Sequence, residues 1–384
     1  MPVTQLPPAE FVVSQASVAP LVERLGVFLE PYRPLFGRTE NHGHARMYIG
    51  GRFERLPRRT LEPIATEHGV HRRPLQYFVG AGTWDDGAVR DQICAQVGEA
   101  LGSPDAVLIL DGSGFQKWGT KSVGVQRQWC GRLGKTENCQ VGEFLVYASR
   151  KGQTLVDCRL YLPETWAGDW ARRKEAHVPR AVKFKKGWEL SYEMIKVRSA
   201  VLPHRWVLGD DSYGRVVALR RRLDDDDERY LLEVPSNTQV YLDGGDGKSR
   251  SVASVADAIP AREWERVRVR DGEKGPIEVK AIKMRVTTGK GDERRRETLL
   301  VVRRPGERWF YLSNAKGVSL SKMTKAAACR HYVEEVFEVA KGDVGMDEYE
   351  VRSWIGWHHH MTLSFLAMLF LVIERNCLKK RLPH

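Results

Sequence analysis

A chain of 384 residues, 42% hydrophobic and 29% charged, is long enough for two or three domains with an ordinary globular composition, which excludes a fibrous or disordered protein. Its 61 Lys+Arg against 49 Asp+Glu leave a formal net charge of +12, which favours a polyanionic partner, nucleic acid being the commonest; the alternative is a basic surface with no partner. Six scattered cysteines without a Cys-x-x-Cys pair exclude a zinc ribbon and a dense disulfide framework and suit a reducing cytoplasm. No signal-peptide pattern opens the chain. The longest apolar stretch, Met361 to Ile373, is too short for a bilayer, so a core helix and no membrane partner are expected.

Residues 1–100 read as a helical N-terminal domain, with Leu21, Leu25, Phe28 and Leu29 at helical spacing. Arg46, Arg52, Arg55, Arg58, Arg59, Arg72 and Arg73, interleaved with Tyr48, Phe53, Tyr77 and Phe78, suit DNA contact or a merely solvated bundle; no turn signature identifies a helix-turn-helix. Strands follow. Val107 to Leu110 is a short apolar run ending in Asp111, then a glycine-rich connection from Gly112 through Gly134. Further strands are expected over Gln140–Tyr147 and Thr154–Tyr161, a helix over 189–201, a strand from Trp206 to Asp210, a helix over 215–223 and a strand from Arg229 to Val234. Three strands, a helix and a strand ending in an acid is the order of a ribonuclease-H-like α/β fold.

Residues 101–234 would then be the first part of a catalytic core, 235–314 a β-rich insertion and 315–384 the C-terminal helices of the core. In the insertion, alternation places Trp264, Arg266, Arg268 and Arg270 on one strand face. Three guanidiniums in a row suit a phosphate backbone, or equally an edge strand kept soluble by charge. Lys280, Lys283 and Arg285 lie in the next strands, and Arg294, Arg295 and Arg296 in a hairpin loop.

A carboxylate at the C-terminal end of a buried strand is dry enough to bind a cation and open enough to meet a substrate. Asp111 and Asp210 occupy such places, and Glu334 lies on a helix whose stripe of Val333, Phe337 and Ala340 faces inward. Two-metal phosphoryl transfer needs carboxylates that hold cations about 3.5–4 Å apart. Taken singly, a strand-end aspartate is more often a turn or cap residue.

The segment Asp111-Gly112-Ser113-Gly114-Phe115-Gln116-Lys117-Trp118-Gly119, with Ser122 to Gly131 and Asn138 to Gly142, resembles the first acidic block of DDE transposases from bacterial insertion sequences. Asp210-Asp211-Ser212-Tyr213-Gly214 is similar to their second block, and Arg330, Glu334 and Lys341 to their Arg-x3-Glu-x6-Lys element, followed by a similar tail from Glu348 to His360. The resemblance, over about residues 30–375, implies a ribonuclease-H-like core and cut-and-paste DNA transposition. It implies Mg2+ as cofactor, with Mn2+ as a substitute, and Asp111, Asp210 and Glu334 as catalytic metal ligands. Arg330 and Lys341 would contact DNA near the cleaved bond. The implied partners are double-stranded DNA, comprising terminal inverted repeats and target, and a second copy of the chain; the implied location is the bacterial cytoplasm, at the nucleoid. One departure is Ala327, where many relatives carry a tyrosine three residues before the arginine; any contact that tyrosine makes is either absent here or supplied by a neighbour such as Tyr332.

Strand alternation and the Tyr-Gly spacing favour Asp210 over Asp211, and Glu335 lies about 100° round the helix from Glu334. Asp224 to Asp227 reads as a solvated loop after a helix, and His358-His359-His360 as a surface or DNA-facing run. The alternatives to a transposase are a domesticated or inactive DNA-binding descendant and a nuclease of the same fold that hydrolyses without strand transfer.

Overall fold

The computed structural model describes residues 15–381, apart from 273–274, 290 and 292–293. The N-terminal region is helical: α1 (Gln15–Leu29), α2 (Thr39–Gly51), α3 (Leu61–Glu67), α4 (Arg72–Gly80) and α5 (Asp86–Leu101). Leu25, Phe28 and Leu29 are buried, as their spacing predicts. Asp85 starts α5 by accepting from the backbone N–H of Gly87 at 2.8 Å and Ala88 at 3.2 Å.

The next elements are β1 (Val107–Gln116), β2 (Gln126–Cys130), β3 (Lys135–Ser149) and β4 (Gly152–Leu160). The glycine-rich stretch expected to be a connection is therefore partly strand. Gly114 shows why: a Cβ there would stand 2.5 Å from Cys130 Sγ, so glycine is needed for close backbone approach rather than for a loop. β3 pairs antiparallel with β2 and with β4. Then come α6 (Glu164–Ala167), α7 (Trp170–Glu175), α8 (Gly187–Arg198), β5 (Trp206–Gly209), α9 (Asp211–Gly214), α10 (Val217–Asp225) and β6 (Tyr230–Glu233). The chain order β1, β3, β4, α8, β5, α10, β6 is that of the ribonuclease-H-like α/β fold.

β7 (Gln239–Leu242), β8 (Arg250–Ser251), α11 (Val252–Asp257), β9 (Glu265–Gly272), β10 (Gly275–Thr288), β11 (Arg295–Arg304) and β12 (Glu307–Ser313) follow, and α12 (Leu320–Ala328), α13 (Tyr332–Gly342) and α14 (Trp354–Arg381) end the described chain. Two compact units result, one of residues 104–110 and 204–332, the other of 15–103, 111–203 and 333–381.

In the first unit Val107–Leu110 pairs in parallel with β5, and β5 with β6; β6, β12, β11 and β10 then continue antiparallel, with β9 and β7 on β10. Both faces of the parallel part are buried, which accounts for its unbroken apolar runs. Val240, Val252, Val255, Trp264, Leu299, Val301 and Phe310 make a separate apolar core under β7 to β12. Trp264 belongs to that core and not to the arginine row: the strand begins only at Glu265, after a 3-10 turn over Ala261–Glu263, so the alternation does not reach back to the indole. Asp224, expected in a solvated loop, pairs with Arg295 and accepts from Asn314 Nδ2 at 2.9 Å.

In the second unit α14 is the central helix, with every residue from 356 to 370 buried. The apolar stretch is thus part of a longer helix than Met361–Ile373, and the one helix among the described residues long and apolar enough to cross a membrane. Its burial against protein is the pattern of a core helix. The histidine run is not a surface feature. His358 Nδ1 bonds Trp354 O at 2.9 Å, His359 bonds Val79 O and Trp84 O at 3.1 and 3.0 Å, and His360 Nε2 bonds Met346 O at 2.8 Å. Each ring ends on a backbone carbonyl, which supplies the hydrogen-bond partner that a buried imidazole requires. Arg52 and Arg59 are likewise structural, donating to Gly345 O at 2.8 Å and to Glu348 Oε1 at 2.6 Å.

Candidate active site

In the first unit the last register pair between β1 and β5 is Leu110 with Gly209, and an aspartate follows each in the chain. Asp210 is the N-cap of α9, its Oδ1 accepting from Ser212 N at 3.0 Å and Ser212 Oγ at 2.5 Å. The Tyr-Gly spacing has a steric cause. Tyr213 is buried, and a Cβ on Gly214 would lie 1.7 Å from Glu233 O, so only glycine lets α9 close onto the end of β6. Asp211 turns away to pair with Arg215 at 2.7 Å, which supports Asp210 as the site acid.

Arg330 sits in a 3-10 turn over Cys329–His331, ahead of α13 rather than in it. Its Nη2 is 3.9 Å from Asp210 Oδ2, and its Nε is 3.9 Å from Glu233 Oε2. Glu233 was not among the expected site residues. Burial pushes its carboxyl up, with Arg330 opposing and Asp210 and Asp211 adding to the rise. The signal was present, since Tyr230-Leu231-Leu232-Glu233 is another apolar run ending in an acid.

In the second unit Asp111 is half-buried in β1 and Glu334 exposed in the first turn of α13. Val333, Val336 and Ala340 form the buried stripe of α13; Phe337 lies at its margin, edge-on to Phe144. Glu335 accepts from Gln153 Nε2 at 2.9 Å, so it faces β4 and leaves Glu334 as the candidate ligand. Lys341, seven residues on from Glu334, donates to Ser113 Oγ at 2.7 Å, with its ammonium 5.0 Å from the Phe337 ring and 5.6 Å from Phe115. Burial lowers its pKa, Arg132 adds to that, and Asp347 and Asp111 oppose it. Lys117, in the first acidic block, is a second half-buried ammonium: it lies 3.3 Å from the centre of the Tyr349 ring, and burial brings its pKa down to about 8. Ala327 is buried in α12.

Arg266, Arg268 and Arg270 are exposed on β9, with Val267 turned inward between the first two. Arg266 pairs across the strands with Lys280 and Arg268 with Glu278, and a bulge at Ile277/Glu278 shifts the register before Arg270, which contacts His331. Lys283, Arg285, Arg294, Arg295, Arg296 and Lys316 line a cleft of about 750 Å³ in the same unit.

Residues 31–276 match the family described as DDE superfamily endonuclease. The chain belongs to that family. It is also 27% identical over 238 residues to the protein named "Probable transposase for insertion sequence element IS701" from Microchaete diplosiphon, covering 60% of this chain and 58% of that one. The chain thus spans less than two thirds of this relative's length.

DDE superfamily enzymes generally use divalent metal ions. The candidate residues Asp111, Asp210 and Glu334 fit such ions in their chemistry, because they offer only hard carboxylate oxygens. Among the described residues no three histidine, cysteine or carboxylate groups form a ready-made metal cluster. A cation that keeps part of its water shell and takes substrate phosphate oxygens as ligands does not require one.

Proposed function

We propose that this DDE endonuclease is an insertion-sequence transposase that cuts DNA at the element's terminal inverted repeats and joins the freed ends to target DNA by a cut-and-paste route. In that reading residues 1–100 bind DNA, 101–234 and 315–384 supply the catalytic core, and 235–314 form the β-rich insertion. Asp111, Asp210 and Glu334 are the metal ligands, Mg2+ is the ion, and Mn2+ can replace it. The observation that carries the proposal is the setting of the three acids. Two follow the register partners Leu110 and Gly209, and the third stands on a helix four residues after Arg330 and seven before Lys341. When bound, divalent cations would lower the pKa of the attacking water and neutralise charge at the scissile phosphate.

The protein's own groups have separate tasks. Arg330 and Lys341 contact the strand beside the cleaved bond, and Arg266, Arg268 and Arg270 hold the backbone further along. Hydrolysis breaks the P–O3′ bond and frees a 3′-hydroxyl, which then attacks a phosphorus of the target and expels its 3′ oxygen. Both steps are in-line displacements, so one set of carboxylates serves each. Two copies of the chain bring the two ends together. The test is strand cleavage and joining on DNA carrying the element's ends. Mg2+-dependent nicks and joined products are expected, and full activity in Asp111→Ala would overturn the ligand assignment. Cleavage without any joined product would instead favour a hydrolytic nuclease.

A further inference from the structure

β5 and β6 are parallel, with Gly209 opposite Leu232, and an acid follows each: Asp210 and Glu233. Adjacent strands run about 4.8 Å apart, so the two acids stand side by side at one end of the sheet. Asp211 adds a third carboxylate there and is matched by Arg215 at 2.7 Å. Asp210 and Glu233 both face Arg330, at 3.9 Å each.

The end of β6 is firmly placed. Glu233 pairs in register with Tyr311 of β12, and Val234 N donates to Phe310 O at 2.8 Å. Asp210 caps α9 at its start, and the Glu233 carbonyl backs Gly214 at its end, so one short turn sets the spacing of the two acids.

Stability does not account for Glu233. The same strand opens with a pair built for folding: Tyr230 Oη donates to Glu297 at 2.6 Å, Arg220 Nε donates to it at 2.9 Å, and Arg220 and Glu297 are 3% and 1% exposed. At the other end the side chains of Asp210, Glu233 and Arg330 are 29%, 26% and 21% exposed, and their contacts exceed hydrogen-bond distance. Long, wetted pairs of this kind add little to folding. They do set the charge at Asp210. An arginine that settled on Asp210 alone would neutralise the carboxylate that a cation must bind. A dication on Asp210 would in turn repel that arginine from the site. A second acid beside the first answers both, because it keeps the guanidinium near Asp210 without occupying Asp210.

We infer that Glu233 is a positioning residue: it holds Arg330 off Asp210, so that Asp210 stays open to a divalent cation while the guanidinium remains beside it for the DNA strand. This inference rests on the proposed transposase reading, in which Asp210 is a metal ligand and Arg330 a DNA contact.

A double-mutant cycle on the full-length chain tests it. The first readout is Mn2+ binding without DNA, followed by the electron paramagnetic resonance signal of unbound Mn2+. Glu233→Gln keeps the shape and removes the charge, so Arg330 should fall back on Asp210 and Mn2+ affinity should drop about tenfold. Arg330→Ala removes the competitor, and in that background Glu233→Gln should change Mn2+ affinity by less than about twofold. The second readout is nicking at saturating Mn2+, where the repelled arginine has lost its other anchor. Glu233→Gln should lower nicking about as far as Arg330→Ala does, the double variant should go no further, and Glu233→Asp should recover part of the loss. Urea melts should stay unchanged. Equal weakening of Mn2+ binding in both backgrounds would make Glu233 a ligand of the cation, and unchanged Mn2+ affinity in Glu233→Gln would leave it no role; either result overturns the inference. A wild type that binds Mn2+ and follows the cycle yet nicks no DNA would instead overturn the transposase reading.

Discussion

Arg330 faces Asp210 across 3.9 Å, and its other edge stands at the same distance from Glu233. One guanidinium therefore serves two carboxylates at neighbouring strand ends, in a long pair rather than a tight bidentate one. These two contacts, being long, bring little stability of their own to the fold.

Replacing Arg330 with alanine should therefore act on DNA rather than on folding. Arg330 is partly exposed, so stability should change by no more than about 1 kcal/mol. Cleavage should fall about 10- to 100-fold, as for a residue that supports a metal site from outside it. Single-turnover cleavage beside a urea melt separates the two. Wild-type cleavage in the variant would remove Arg330 from the site.

Lys341 is retained in an unfavourable place, half-buried between two aromatic rings with Ser113 as its hydroxyl acceptor. Lys341→Met should keep the fold, or stabilise it by about 1 kcal/mol, because a buried charge gives way to an apolar chain of similar length. Strand cleavage should nevertheless drop at least about tenfold. Ser113→Ala should cost about 1–2 kcal/mol by leaving the ammonium short of an acceptor. Parallel denaturation and cleavage measurements check both.

Asp157 is fully buried and accepts from Arg198 Nε at 2.7 Å and Arg159 Nη1 at 2.6 Å, with Arg90 Nε at 3.1 Å. Burial would raise its pKa, but Arg159, Arg90 and Arg198 together hold it below the usual carboxylate value. A depressed folded pKa contributes stability above the unfolded value near 3.9, and that stability is lost as the pH falls through the folded value. Asp157→Ala leaves three guanidiniums without their shared anion and should cost about 3–5 kcal/mol at pH 7. A urea titration showing less than 1 kcal/mol would mean that the arginines re-pair with Asp86 and Asp91.

His358 should make the protein acid-sensitive before its carboxylates do. Burial brings this imidazole down to about 4, so it is neutral in the folded state and takes up a proton on unfolding. Stability should be level above about pH 6.5 and fall between there and pH 4, by up to about 1.4 kcal/mol per pH unit for each such group. Burial lowers His359 and His360 as well, which steepens the slope. Chemical denaturation at several pH values should show this fall, and His358→Gln should flatten it. An unchanged slope would place the acid sensitivity elsewhere.

Much of this was legible in the residues. Apolar runs such as Val107 to Leu110 and Trp206 to Leu208 announce buried parallel strands, because both faces of such a strand must be apolar. The acids that end them, and the spacing from Arg330 through Glu334 to Lys341, could be read from the chain because each element is local. Covalent geometry sets which residues share a strand end or a helix face.

Roles that depend on distant neighbours were not legible. Three consecutive histidines look like a surface run until α14 packs in the core and each ring finds a carbonyl. Trp264 looks like part of an arginine row until the strand proves to begin one residue later. Glu233 carries the same local signature as Asp210, yet only the folding of β6 against α9 brings it to Arg330. Period and charge along the chain decide which elements form and which acids end them. Burial, and the partner each polar group meets after desolvation, decide what those groups do.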